Sequence, residues 1–257
     1  MKELIVKVLE NKPLANGIYK LKFELPEKMC CLKCGKFVNI SVGSDEHLLR
    51  RPIAICEYDE TSVTICYQLK GKGTHDLSKV EVGQTLSCVL PLGNGFTVEN
   101  DEKKVALIGG GVGIFPMFSV LREYQNNNKQ INSYIGFRNK DAVCMESEFA
   151  NLSSQCKIVT DDGSYGEKNN AVSAFFNDLQ NFTPDVILSC GPTPMLRALK
   201  NGLKERGLNI PCYVSLEERM ACGIGACLVC VCQKEGKQEN ARVCKDGPVF
   251  EIGEVEI

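Results

Sequence analysis

A chain of 257 residues, 44% hydrophobic and 24% charged, has ordinary globular composition and is long enough to bury one or two cores. Its formal net charge of -2 gives no electrostatic basis for binding nucleic acid or an anionic membrane. Fifteen cysteines without a signal-peptide pattern, and with no apolar run near the roughly 20 residues that span a bilayer, predict a reducing cytoplasmic setting rather than a disulfide scaffold.

The first third reads as β structure. Leu4 to Leu9, Ile18 to Leu25, Phe37 to Val42, Ile53 to Cys56, Val63 to Leu69 and Leu86 to Leu90 alternate or run apolar, with Gly and Pro in the gaps. Six short strands predict a small antiparallel β barrel ending near Pro91–Gly95. Strand and helix then alternate. Strands are predicted at Lys104 to Gly109, Ile131 to Phe137, Cys156 to Thr160, Val186 to Cys190 and Pro211 to Leu216. Helices are predicted at Ile114 to Tyr124, Glu146 to Leu152, Ala171 to Leu179 and Pro194 to Arg206, with a polar turn at 126–128. That order implies an α/β domain, a Rossmann-like parallel sheet with helices on both faces. The expected division is a barrel over 1–98, an α/β nucleotide domain over 99–210, and a cysteine-rich tail over 211–257.

Four segments carry candidate chemistry before the tail. Arg51, followed by Pro52, Ile53 and Ala54, enters a barrel strand where a fixed guanidinium could pair with a diphosphate. Gln68, Leu69 and Lys70 lead into Gly71-Lys72-Gly73-Thr74, where Gly73 and Thr74 are expected to offer N–H groups to a phosphate at the start of a short helix. His75, one of two histidines, reads as a polar helix-start residue. Gly109-Gly110-Gly111-Val112-Gly113, between a strand and a helix, has the context of a pyrophosphate loop, with Pro116 in the first helical turn. A tight strand–helix turn is the plainer reading. Asp161 and Asp162 end one strand and could accept from ribose hydroxyls, which disfavours a 2′-phosphate and favours NAD over NADP; a polar Asp-Gly turn explains them equally. Cys190 ends another strand, before Gly191-Pro192-Thr193-Pro194-Met195, where its thiol could face a nicotinamide or be a buried strand cysteine.

The tail holds the most specific pattern. Cys222, Cys227 and Cys230 have C-x4-C-x2-C spacing, and Cys244 follows. This is the plant-type arrangement for a [2Fe-2S] cluster. Gly223 and Gly225 let the backbone wrap closely around inorganic sulfide. Cys232 competes for a ligand position, since on an extended segment it points the same way as Cys230. A zinc site and ordinary buried cysteines are the competing readings.

In this order, Arg51-Pro52-Ile53-Ala54, Lys70-Gly71-Lys72-Gly73-Thr74, the glycine loop and Cys190-Gly191-Pro192-Thr193-Pro194-Met195 resemble the ferredoxin–NADP reductase superfamily of flavoproteins. The Ser215 to Cys230 segment is similar to one branch, the electron-transfer subunits of type B dihydroorotate dehydrogenases. That resemblance covers essentially the whole chain. It implies FAD between barrel and nucleotide domain, lined by Arg51, Pro52, Ile53, Ala54, Gln68, Leu69 and Lys70, with Gly73 and Thr74 at the diphosphate. NAD would lie beside Gly110, Gly111, Gly113, Asp161 and Cys190, and Cys222, Cys227, Cys230 and Cys244 would hold the [2Fe-2S] cluster. Where relatives carry a hydroxyl near flavin N5, this chain has Ala54. The resemblance further implies an FMN-containing catalytic subunit as partner, two copies of each in a heterotetramer. Dihydroorotate would be oxidised there, and electrons would pass through the cluster and FAD to NAD+. A reductase subunit of ferredoxin–NADP or anaerobic sulfite reductase type, and a non-enzymatic cluster-bearing carrier, share parts of this layout.

Overall fold

The computed structural model describes residues 1–42, 48–125 and 127–257; Asn126, in the expected polar turn, lies outside them. Six strands open the chain: β1 (Lys2–Ala15), β2 (Ile18–Glu24), β3 (Phe37–Ile40), β4 (Arg51–Tyr58), β5 (Ser62–Gln68) and β6 (Thr85–Leu92). They close into the expected antiparallel barrel in the order β1-β2-β5-β4-β3-β6. Alternation drives closure: Val6, Val8, Leu21, Phe23, Ile55 and Ile65 point inward and are wholly buried, while Lys7 and Glu24 face solvent. β1 runs past its apolar stretch because its pairing with β2 continues through Asn11, Lys12 and Pro13. β4 begins at Arg51 rather than Ile53, since Ile40 and Asn39 on β3 pair with Arg51 and Pro52. Partner strands, not local propensity, set both boundaries.

A short helix, α1 (Lys72–Leu77), bridges β5 and β6. The second half contains β7 (Lys104–Gly110), α2 (Ile114–Tyr124), β8 (Gln130–Phe137), α3 (Glu146–Leu152), β9 (Gln155–Thr160), β10 (Glu167–Lys168), α4 (Ala171–Asp178), β11 (Val186–Cys190), α5 (Thr193–Glu205) and β12 (Cys212–Ser215). The tail adds a hairpin, β13 (Val231–Gln233) with β14 (Asn240–Arg242), and then β15 (Val249–Glu251). The second sheet has the order β10-β9-β8-β7-β11-β12-β15, parallel except for β15, which runs antiparallel to β12. The tail is thus woven into the nucleotide-domain sheet.

Helix α2 joins the two halves. Its Phe115 and Phe118 share one buried cluster with Phe96, Cys34 and Cys56 from the barrel side. The Cys34 N–H donates to the Glu123 carboxylate at 2.8 Å, the Tyr58 hydroxyl donates to the same oxygen, and the Gly35 N–H donates to Ser119 Oγ at 3.3 Å. Each such bond contributes about 1 kcal/mol. Burying each large apolar side chain contributes about 1.5–3 kcal/mol. Packing therefore fixes the angle between the halves, and the hydrogen bonds select it.

Candidate cofactor cleft and cysteine loop

Strand order reverses between β7 and β11, so the loops after their carboxyl ends diverge and leave a crevice. One loop carries Gly110–Gly113 and the other starts at Cys190. They pack so tightly that a Cβ on Gly113 would lie 2.2 Å from the Cys190 carbonyl oxygen. A Cβ on Gly110 would meet Met195 Sδ at 2.5 Å. Gly111 takes φ +56°, where glycine has no steric penalty.

The crevice opens into a cavity of about 1080 Å³ shared by the barrel, the nucleotide domain and the tail. Arg51, Pro52, Ile53, Ala54, Gln68, Lys70 and Thr74 line it from the barrel side; Gly110, Gly111, Gly113, Asp161 and Cys190 line it from the sheet. Two expected residues do not. Leu69 is partly buried and packs against the barrel core, its N–H donating to the Gly17 carbonyl at 2.8 Å. Gly73 is buried beneath Arg51, and a Cβ there would lie 2.3 Å from the guanidinium Nη2. Of the expected pair of phosphate-facing N–H groups, that of Thr74 is engaged within the turn. The Thr74 N–H donates to the Gly71 carbonyl at 3.1 Å, and Thr74 Oγ1 accepts from the Lys70 N–H at 3.0 Å. Thr74 therefore organises the turn, and Gly73 makes room for the guanidinium. His75 is exposed and outside the lining.

The two aspartates separate. Asp161 faces the cavity, whereas Asp162 accepts from the Ser164 N–H at 2.9 Å and closes a turn. Burial pushes the half-buried Cys190 thiol up to about 12, with Ser215 partly offsetting it. At neutral pH Cys190 is a neutral packing surface, not a nucleophile. Sequence reading missed Phe37, Arg138, Asn139, Val243 and Pro248, all in the lining. Distant segments bring them together, and none has a local signature. Leu216 to Met220 also line the cavity, including Glu217 and Glu218. Glu217 Oε1 lies 3.7 Å from Lys70 Nζ, spanning the mouth from tail to barrel. Both groups are well exposed, so this pair contributes little stability.

Beyond Met220 the chain wraps into the cysteine loop. Gly223 and Gly225 take φ +73° and +83°. The Asn39 side-chain amide on β3 donates to the Ala221 carbonyl at 3.4 Å, and a Cβ on Gly223 would come within 2.8 Å of that nitrogen. The loop is thus seated on the barrel wall.

The thiols stand in two pairs. Burial disfavours ionisation of Cys222, but the Ile224, Cys227 and Ala226 N–H groups and the Cys227 side chain outweigh it and bring the thiol down to about 6. The Ile224 N–H lies 3.5 Å from Cys222 Sγ. Burial, and then its neighbour Cys230, push Cys244 up to about 12. The Cys244 N–H donates to Cys230 Sγ at 3.4 Å. Among the described residues, no three Cys, His, Asp or Glu side chains are placed to share one metal ion. A zinc site would need four donors around one point. Two thiol pairs met by backbone N–H groups suit two irons bridged by sulfide, and metal would displace the thiol protons. Cys232 sits on β13 opposite Ala241, in the same buried cluster as Cys230 and Cys244, and burial raises its thiol.

Residues 217–256 match the family described as the iron-sulfur cluster binding domain of dihydroorotate dehydrogenase B, and residues 107–201 match the oxidoreductase NAD-binding domain. The chain is 40% identical over 258 residues to a Fusobacterium nucleatum protein named dihydroorotate dehydrogenase B (NAD(+)), electron transfer subunit, covering 97% of each. It is 38% identical over 255 residues to the Streptococcus pneumoniae protein of that name, again covering 97% of each. A solved NADH-dependent reduced ferredoxin-NADP oxidoreductase, described as an electron-bifurcating flavin enzyme, superposes with TM-score 0.86 at 27% identity over 98% of this chain and 89% of that one. The cytochrome b5 reductase domain of Ulva prolifera nitrate reductase shares the fold at TM-score 0.67 and 18% identity, over 80% of this chain and 94% of that one. Sequence, cleft and cysteine loop together place this chain in the family of electron transfer subunits of dihydroorotate dehydrogenase B (NAD(+)).

Proposed function

We propose that this chain carries electrons from a cytoplasmic, FMN-containing catalytic subunit, where dihydroorotate is oxidised during pyrimidine biosynthesis, to NAD+. FAD occupies the shared cavity, a [2Fe-2S] cluster occupies the cysteine loop, and two copies of each subunit assemble. One observation carries this reading. Val243 lines the cavity, and the next residue, Cys244, pairs with Cys230 in the cysteine loop. The two sites are therefore neighbours along the chain and in space. A flavin supplies the step between them, because it exchanges hydride with a nicotinamide and single electrons with an iron–sulfur centre.

The chain's own residues bind and orient. Arg51, seated over Gly73 at the first turn of α1, offers a fixed cation to a diphosphate. Gly110, Gly111 and Gly113 admit a dinucleotide to the β7–α2 turn, and Asp161 accepts from a ribose. Among the described residues, no helix is long and apolar enough to cross a membrane. The family membership supports the partner, and a reduced-ferredoxin or sulfite reductase partner is the alternative that isolation would reveal.

Anaerobic purification followed by iron, sulfide and flavin assays tests this. About two irons, two sulfides and one FAD per chain are expected, bleached by NADH. A colourless chain lacking sulfide after reconstitution would overturn the reading. Capture of the native partner from the source cells, and its flavin content, tests the assembly.

Two variants refine the sites. Cys232→Ser is expected to keep its full iron content, because Cys222 with Cys227 and Cys230 with Cys244 already supply the four thiolates that a two-iron centre takes; loss of iron would reassign the ligands. Gly73→Ala is expected to weaken FAD binding about tenfold. The new methyl displaces only the flexible tip of Arg51, so the melting temperature should hold while flavin titration shifts.

A further inference from the structure

The outer face of β3 turns two side chains toward the tail. Val38 and Ile40 point into the barrel core, so Phe37 and Asn39 face the other way. Phe37 lines the cavity and shares a buried cluster with Cys230 and Cys244. Asn39, two residues on, lies under the cysteine loop and is 1% exposed. Its Nδ2 donates to the Ala221 carbonyl at 3.4 Å. A Cβ on Gly223 would lie 2.8 Å from that nitrogen and 3.3 Å from Leu92 Cδ1, so the bare backbone of Gly223 is what rests on the amide.

The same face of the barrel walls the cavity. Across the β3–β4 pairing, Phe37 stands opposite Ala54 and Asn39 opposite Pro52. Opposed residues share a face, with Cβ atoms about 5 Å apart. Pro52 and Ala54 line the cavity. One strand pair thus carries both the proposed flavin wall and the seat of the cysteine loop. Stability does not account for an amide at this point. Among the described residues, Asn39 Oδ1 is buried without a hydrogen-bond partner, and an unpaired buried acceptor costs free energy. An apolar side chain of similar size would avoid that cost, but it would release Ala221.

We propose that Asn39 is a positioning residue for electron transfer: it pins the backbone of 221–223 to the barrel face that carries Pro52 and Ala54, and so fixes the separation between flavin and cluster. This rests on the FAD and two-iron reading of the two sites. One electron leaves flavin that NADH has reduced, one ferric iron becomes ferrous, and no bond to the protein forms or breaks. Misplacing reacting centres by about 1 Å can slow a reaction about a hundredfold. The loop keeps its other contacts in an Asn39 variant, so a smaller shift and a slowing of about tenfold are expected.

Asn39→Leu and Asn39→Ala test this on the full chain, with flavin, iron and sulfide measured in each protein. Both are expected to load FAD and cluster as wild type does, and Asn39→Leu should melt no lower than wild type. Flash photoreduction with a sacrificial donor starts the clock at the flavin. Reduction of the cluster, followed by its absorption, should then slow about tenfold in both variants, while hydride transfer from NADH to flavin keeps its wild-type rate. In the cluster-free chain, amide hydrogen exchange across 221–227 should quicken in both. A wild-type rate of cluster reduction in either loaded variant overturns the proposal, as does unchanged exchange. Equal slowing of the hydride step, or a lower melting temperature in Asn39→Leu, would mark Asn39 as a structural tie, and the proposal falls. It falls also if neither variant retains iron and sulfide. Absence of iron and sulfide from the wild-type protein would instead sink the two-iron reading, and that is seen before any variant is compared.

Discussion

Cys244→Ser is expected to give a chain that still binds FAD but has lost sulfide, half or more of its iron, and the charge-transfer absorption of the cluster. Serine matches cysteine in shape, so the pocket around residue 244, 2% exposed, is barely disturbed. What changes is the donor. A hydroxyl does not ionise near neutral pH, and oxygen is a harder ligand than the thiolate that an iron–sulfur centre requires. Cys230 is then left without its pair, while Cys222 and Cys227 alone cannot close a two-iron site. The barrel side of the cavity, from Arg51 to Thr74, draws nothing from residue 244. Hydride entry from NADH into flavin should therefore persist with a two-electron dye, while reduction of one-electron acceptors through the cluster falls to background. Parallel flavin, iron and sulfide assays with both acceptors check this. Retention of a full cluster in Cys244→Ser would remove Cys244 from the ligand set and move attention to Cys232.

The C-x4-C-x2-C cysteines could be picked out in the sequence because a cluster loop is a local object, whereas their arrangement in two pairs could not. Cys222, Cys227 and Cys230 lie within a few residues of each other, with glycines where the backbone must turn under them, while Cys244 follows after the β13–β14 hairpin. The same holds for α2 and β11, whose expected bounds, Ile114 to Tyr124 and Val186 to Cys190, match the structure. What stayed illegible is non-local. β15 is three residues long, too short to show a period, and exists because β12 offers it an edge. Phe37 and Pro248 reach the cavity from opposite ends of the chain. Leu69 reads as part of an apolar run into a phosphate turn, yet it lies just past β5 and packs partly buried against the barrel core, while Gln68 lines the cavity. Thr74 shows a subtler limit. Its position was readable, but whether its N–H is available depends on the hydrogen bond it makes to Gly71.

The glycine loop offers a contrast between two kinds of glycine. At Gly111 a Cβ would meet nothing within 4 Å, and the need for glycine lies in the backbone angle of +56°. Gly111→Ala should therefore cost about 1 kcal/mol, the ordinary penalty for a left-handed residue. At Gly113 the angle is unremarkable but space is absent: a Cβ would lie 2.2 Å from the Cys190 oxygen, 2.4 Å from its carbonyl carbon and 2.7 Å from the Gly191 nitrogen. All three are backbone atoms at the end of β11, so no side chain can swing aside. Gly113→Ala must push the β7–α2 turn away from β11, at the point where strand order reverses and the nucleotide crevice begins. Overpacking of this kind costs about 3 kcal/mol. In a chain of this size that lowers the melting temperature by roughly 6–12 °C. NADH affinity should fall with it, because the two loops that form the crevice no longer meet. The ordering Gly113→Ala far worse than Gly111→Ala, in both thermal melting and NADH titration, is the test. Equal and small effects would mean that the two loops are not in contact, and the crevice would then have to be built differently.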